Sequence, residues 1–232
     1  MAVSLLRRAA YGVRGALSKA ALCLALAVPA AAQEGNPVVI AALGDSLTQG
    51  YGLSQDEGFV PQLEAWLAER GVAARLINAG VSGDTTAGGL SRVDWTLGDE
   101  VDAMIVALGG NDMLRGIDPA TSRANLDGIL ARAEEAGVEV LLVGMSAPGN
   151  YGPDYKAAFD GMYPELSERY GTLYADDFLG ALADLPDRRQ AMADYMQPDG
   201  IHPNADGVSL IVEDLGPEVA ALVERVRDGG GD

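Results

Sequence analysis

One cysteine, one histidine and two lysines (Lys19 and Lys156) are all that this chain of 232 residues holds of those types. A structural zinc site takes about four Cys or His ligands, so zinc of the finger or deaminase kind is excluded. Cys23 lies in the N-terminal segment, and the rest of the chain has no thiol. That excludes a disulfide framework and a cysteine nucleophile together. The lysines exclude two further chemistries. Neither the Gly-Lys-Ser/Thr of a Walker-type phosphate loop nor a Ser-x-x-Lys acyl-enzyme pattern occurs.

Positive charge is scarce overall: 16 Lys+Arg face 34 Asp+Glu, a formal net charge of -18. Arg7, Arg8, Arg14 and Lys19 fall in the first 32 positions, which hold no acid, so the remainder is more acidic still. Such a surface repels phosphate backbones and anionic headgroups, and nucleic acid is not an expected partner. The acids are spread along the whole chain, which reads as solubility rather than a binding patch. With 48% hydrophobic and 22% charged residues the composition is that of an ordinary globular protein. The length suffices for one domain with a sizeable core.

Long hydrophobic runs are also missing. The uncharged stretch Ala20 to Ala32 has 13 residues and contains Pro29, against the ~17–25 residues of a spanning helix. It follows a positively charged start and ends in Ala30-Ala31-Ala32, the small-x-small pattern that a signal peptidase accepts. Residues 1–32 are therefore expected to be a cleavable signal peptide. The exported protein, periplasmic or secreted, is then residues 33–232, with a core at about 38–226 and no stable membrane insertion.

Apolar runs and helical stripes alternate along that remainder. Val38 to Leu43, Ala74 to Asn78, Val101 to Leu108, Val138 to Met145 and a weak segment at Thr172 to Tyr174 read as strands. Phe59 to Leu67, Thr85 to Leu97, Pro119 to Ala136 and Asp154 to Tyr170 read as helices. A terminal helix is expected from about Ala205 to Val226, broken at Gly216-Pro217. Alternation with uniformly apolar strands implies a parallel sheet covered by helices on both sides. Ligands of such sheets sit at the carboxyl ends of the strands.

Three loops after strands are unusual, as is one near the C-terminus. Gly44-Asp45-Ser46-Leu47 sets a hydroxyl at a strand-to-helix turn, beside N–H groups that favour an anion. Val81-Ser82-Gly83-Asp84-Thr85 allows close backbone approach to a ligand, with Asp84 or Thr85 as a plain helix cap otherwise. In Gly109-Gly110-Asn111-Asp112, the Asn111 amide can donate to a developing oxyanion. In Asp199-Gly200-Ile201-His202-Pro203, a carboxylate can accept from one ring nitrogen of His202 and orient the other. Singly, each has a bland account: a cap for Ser46, turns for the others. Together they are the parts of an acyl-transfer site.

In order, these four blocks resemble the signature blocks of the SGNH (GDSL) hydrolases, most closely the bacterial thioesterase I, arylesterase and lysophospholipase branch. Met113-Leu114-Arg115-Gly116-Ile117 and Pro148-Gly149-Asn150-Tyr151-Gly152 add to the likeness, which runs from about residue 38 to about residue 215. The resemblance implies a flavodoxin-like three-layer α/β/α fold with strand order 2-1-3-4-5. It implies Ser46 as nucleophile, His202 as general base and Asp199 as its orienting partner. The oxyanion hole would be the N–H groups of Ser46 and Gly83 with the Asn111 amide. It implies an esterase or thioesterase acting on a small acyl ester or thioester, as a monomer, with no metal or cofactor. Asp45 is expected to stabilise a turn and Gly80 to be structural. Met113, Leu114, Ile117, Pro148 and Tyr151 are expected to line an acyl groove, unless the first three simply pack under the next helix. Gln49 stands where the branch commonly has a small residue, so it is expected to trim that groove. A carbohydrate acetyl esterase and a non-catalytic periplasmic binding protein of the same fold are the alternatives.

Overall fold

The computed structural model describes residues 36–229, so the expected signal peptide lies outside the described residues. Five strands form one parallel sheet: β1 (Val38–Gly44), β2 (Ala74–Gly80), β3 (Ala103–Ala107), β4 (Glu139–Val143) and β5 (Leu173–Ala175). Their order is β2-β1-β3-β4-β5. β3 is buried along its whole length and β1 nearly so, while the edge strand β2 is half open. That is why the central strands carry continuous apolar runs: both of their faces are covered.

The helices are α1 (Ser46–Gln49), α2 (Phe59–Glu69), α3 (Thr86–Thr96), α4 (Gly110–Leu114), α5 (Pro119–Ala136), α6 (Pro153–Tyr170), α7 (Gly180–Ala183), α8 (Arg188–Tyr195) and α9 (Ala205–Gly229). A single 3-10 turn, Gly149–Tyr151, precedes α6. α3, α5 and α6 pack side by side in one layer; α2 and α9 pack together in the other, with α7 and α8 against α9. Among the described residues no helix is long and apolar enough to cross a membrane.

α9 departs from expectation, because it runs unbroken through Gly216 and Pro217. Its stripe of Val208, Ile211, Val212, Leu215, Val219, Leu222 and Val223 is buried on both sides of the proline, and that burial outweighs the one backbone bond Pro217 removes. Gly216 lies directly against the Trp66 ring of α2. α1 begins at the strand-to-helix turn expected at Ser46, while α4, α7 and α8 fall outside the helices read from the sequence.

Three helices of one layer are tied by a fully buried carboxylate. Asp112 accepts from the Thr86 N–H at 2.8 Å, the Thr86 hydroxyl at 2.5 Å and the Ser122 hydroxyl at 2.8 Å. These partners begin α3 and α5, so α4 is fixed between them. Asp112→Ala would leave three buried donors unpaired, and we expect it to lower stability by about 2–4 kcal/mol. Urea unfolding followed by circular dichroism measures this, and a loss under about 1 kcal/mol would show that the network holds little.

Candidate active site

β1, β2 and β3 end level, with Gly44 in register with both Gly80 and Ala107. α1 turns back tightly over that edge. A side chain at Gly80 would collide with the Gln49 backbone and the Asp45 carbonyl, so only glycine lets β2 pass this close. The turn delivers Ser46 as the first residue of α1, where its N–H has no intrahelical acceptor. Ser46 is 9% exposed and lines a cleft.

His202 comes from the loop between α8 and α9. Its Nε2 lies 2.9 Å from Ser46 Oγ, and its Nδ1 lies 2.6 Å from Asp199 Oδ2. The consistent proton arrangement is a donating Nδ1–H and an accepting Nε2. Asp199 Oδ1 accepts from the Ile201 and His202 N–H groups at 2.9 and 3.0 Å. The bond from His202, then those two backbone donors, hold the Asp199 carboxyl at about 2, below the usual carboxylate range.

The loop itself is pinned. The Gln197 N–H donates to the His202 carbonyl at 2.8 Å, and the Gln197 amide donates to the Tyr51 and Pro203 carbonyls at 2.7 and 2.9 Å. The Tyr51 ring packs on the imidazole at 4.6 Å between centroids.

Across the cleft stand the donors. Gly83 has φ +79°, a left-handed conformation that glycine adopts without strain. Its N–H finds no acceptor among the described residues. Asn111, on α4, donates through Nδ2 to Asp45 Oδ2 at 3.0 Å. A primary amide has two such hydrogens, so one positions the group and the other is left for a ligand. Asp45 also caps α1 by accepting from the Leu47 N–H at 3.0 Å. Burial pushes its carboxyl up, while the Leu47 and Asn111 donors pull it down.

Several residues that hold this arrangement had no sequence signal beyond being polar. Arg92 donates to Asp84 Oδ2 and the Ala79 carbonyl at 2.7 Å and to the Gly44 carbonyl at 2.9 Å, clasping the ends of β1 and β2. Arg115 donates to the Gly83 carbonyl at 2.7 Å. Thr85, one of the two caps considered, is the cap of α3.

The cleft has a volume of about 850 Å³. Met113, Leu114 and Pro148 line it, as do Leu179, Leu182, Met192 and Ile201. Two expected lining residues are not part of it. Ile117 sits behind α4, where its carbonyl accepts from the Tyr155 hydroxyl at 3.0 Å. Tyr151 stacks against Tyr155 at 4.8 Å. Gln49 is also turned away, because its side chain accepts the Ser82 hydroxyl. Among the described residues no three His, Cys, Asp or Glu side chains converge as a metal site.

A profile of the GDSL-like Lipase/Acylhydrolase family matches residues 42–210. The chain is 37% identical over 202 residues to "Esterase TesA" of Pseudomonas aeruginosa, covering 87% of this chain and 96% of that protein. It is 34% identical over 185 residues to "Thioesterase 1/protease 1/lysophospholipase L1" of Escherichia coli, covering 79% and 84%. Among solved structures, AlinE4, described as an SGNH-hydrolase family esterase, superposes with a TM-score of 0.65 at 46% identity, covering 81% of this chain and 97% of that one.

A carboxylate held at about 2 stays ionised across the working range of such a site. In a ¹³C NMR titration the Asp199 carboxyl carbon should therefore show no protonation step of its own at the ordinary aspartate value of ~4. An inflection near ~4, the ordinary aspartate value, would mean that the His202 contact is not maintained in solution.

Proposed function

Because the chain belongs to the GDSL-like lipase/acylhydrolase family and is an ester-bond hydrolase, we propose that it acts through an acyl-Ser46 intermediate on medium-sized acyl esters and thioesters, with lysophospholipids and aryl esters in the same class. The observation that carries the reading is the unbroken line from Ser46 Oγ through both nitrogens of His202 to Asp199, at 2.9 and 2.6 Å.

His202 Nε2 takes the Ser46 proton as Oγ forms a bond to the substrate carbonyl carbon. The carbonyl π pair moves onto oxygen, and that oxyanion meets the N–H groups of Ser46 and Gly83 and the free Asn111 hydrogen. Asp199 holds the imidazolium in orientation and balances its charge without taking its proton. The oxyanion collapses, the bond to the leaving group breaks, and His202 returns the proton to the departing oxygen or sulfur. Water then repeats the sequence on acyl-Ser46 and releases the acid. No step calls on a metal or cofactor. Met113, Leu114 and Pro148 serve the acyl chain in this reading. We further infer that residues 1–32 direct export to the periplasm or medium, and that the exported protein acts as a monomer on small molecules, not on nucleic acid.

Asn111→Ala should lower kcat by ~10²–10³ with KM little changed, as for loss of one oxyanion donor. A tenfold or smaller loss would remove Asn111 from that role. The chain-length test uses para-nitrophenyl esters from acetate to palmitate, with Ser46→Ala as blank. We expect a maximum at medium chains that vanishes in the variant. Activity confined to acetate would point to a carbohydrate acetyl esterase instead. Failure of a fluorophosphonate to label Ser46 would point to a binding protein.

A further inference from the structure

Gly83 is a central residue of a tight turn. The Asp84 N–H donates to the Val81 carbonyl at 3.0 Å, so Ser82 and Gly83 lie between the turn's ends. With Gly83 at φ +79°, this is the turn type that needs a positive φ at its second central position. The commoner type keeps the same ends and turns the central peptide over, with φ near about −90° at that position. Glycine adopts either form. The Gly83 N–H belongs to the peptide that turns over, so the form of the turn decides where it points. Ser82 and Gly83 both line the cleft.

That peptide has no hold of its own. Neither the Ser82 carbonyl nor the Gly83 N–H finds a partner among the described residues. Arg115 holds the Gly83 carbonyl at 2.7 Å and Arg92 holds Asp84, but both bonds lie beyond the peptide. On its near side, among the described residues, the side-chain tie is the Ser82 hydroxyl donating to Gln49 Oε1.

Gln49 is a rigid post for this contact. It closes α1, three residues after Ser46, and its N–H donates to the Asp45 carbonyl at 3.0 Å. Its carbonyl accepts from the Asn78 amide at 3.3 Å, and β2 presses on its backbone at Gly80. The residue is exposed and does not line the cleft.

We propose that Gln49 is a positioning residue: by holding the Ser82 hydroxyl it keeps the 81–84 turn in the form that presents the Gly83 N–H to the oxyanion. This rests on acyl transfer at Ser46 with Gly83 as a donor. It adds a tie between two of the oxyanion donors, because α1 carries both the Ser46 N–H and the post that orients the Gly83 N–H.

Gln49→Met keeps the length of the side chain and removes its oxygen acceptor, while Ser82→Ala removes the donor. On para-nitrophenyl butyrate each should lower kcat by about threefold to tenfold with KM little changed, the shift that one net hydrogen bond gives a two-state equilibrium. That is well short of the ~10²–10³ for a donor lost outright. The double variant should fall no further than either single one, because both remove the same bond. Ser82→Thr keeps the hydroxyl and should retain most of the wild-type rate. An alkyl trifluoromethyl ketone reads the site without turnover, since its carbonyl carbon takes Ser46 Oγ to give a tetrahedral oxyanion. Its Ki should rise by the factor by which kcat falls. Urea midpoints should stay at the wild-type value, because the bond is exposed.

An unchanged kcat in Gln49→Met, additive losses in the double variant, or a lower kcat with an unchanged ketone Ki would each overturn the proposal. So would a loss in Ser82→Thr equal to that in Ser82→Ala, or losses that track a lowered urea midpoint. A ketone Ki that does not respond to Asn111→Ala would overturn the oxyanion reading itself. The two failures are therefore read from different variants.

Discussion

One buried carboxylate joins the two halves of the site. Asp45 spends one oxygen capping α1, which carries Ser46, and the other holding the Asn111 amide on α4. These segments follow different strands and lie 66 positions apart in the chain. The pairing of β1 with β3 sets their spacing as well. A charge kept in such a dry place is costly, and the burial that raises its pKa is only partly offset by the same two donors it organises. Ser46 and the Asn111 amide thus share a reference point that neither element supplies alone.

The outer supports follow the same logic at the neighbouring strand ends. Arg92 ties β1, β2 and the Gly83 loop with one guanidinium, using the planar fork that lysine lacks. Arg115 and Gln49 grip the same loop at Gly83 and Ser82. A loop with so much backbone turned toward a cleft is held by side chains rather than by a ladder.

Much of this was legible beforehand, for identifiable reasons. β1, β3 and β4 announce themselves because burial on both faces leaves no room for polar residues. The motif residues Ser46, Gly83, Asn111, Asp199 and His202 could be read from four short blocks, and the fold brings them to one edge of the sheet. What escaped the sequence depends on long-range contact. α8 reads Arg-Arg-Gln-Ala-Met-Ala-Asp-Tyr, with too little apolar periodicity to mark a helix. The break expected at Pro217 is absent because the cost of a proline is local, while the burial that outweighs it comes from α2 and the sheet. Ile117 and Tyr151 sit beside cleft residues in sequence, but Tyr155 draws both away from it.

The hydrogen bond between His202 and Ser46 spans 156 positions. The last strand of the sheet ends at Ala175, so every strand is made before the imidazole emerges during synthesis. A nascent chain can complete its sheet and still lack its one histidine. The contact between Ser46 and His202 therefore forms only once the final loop and α9 have docked.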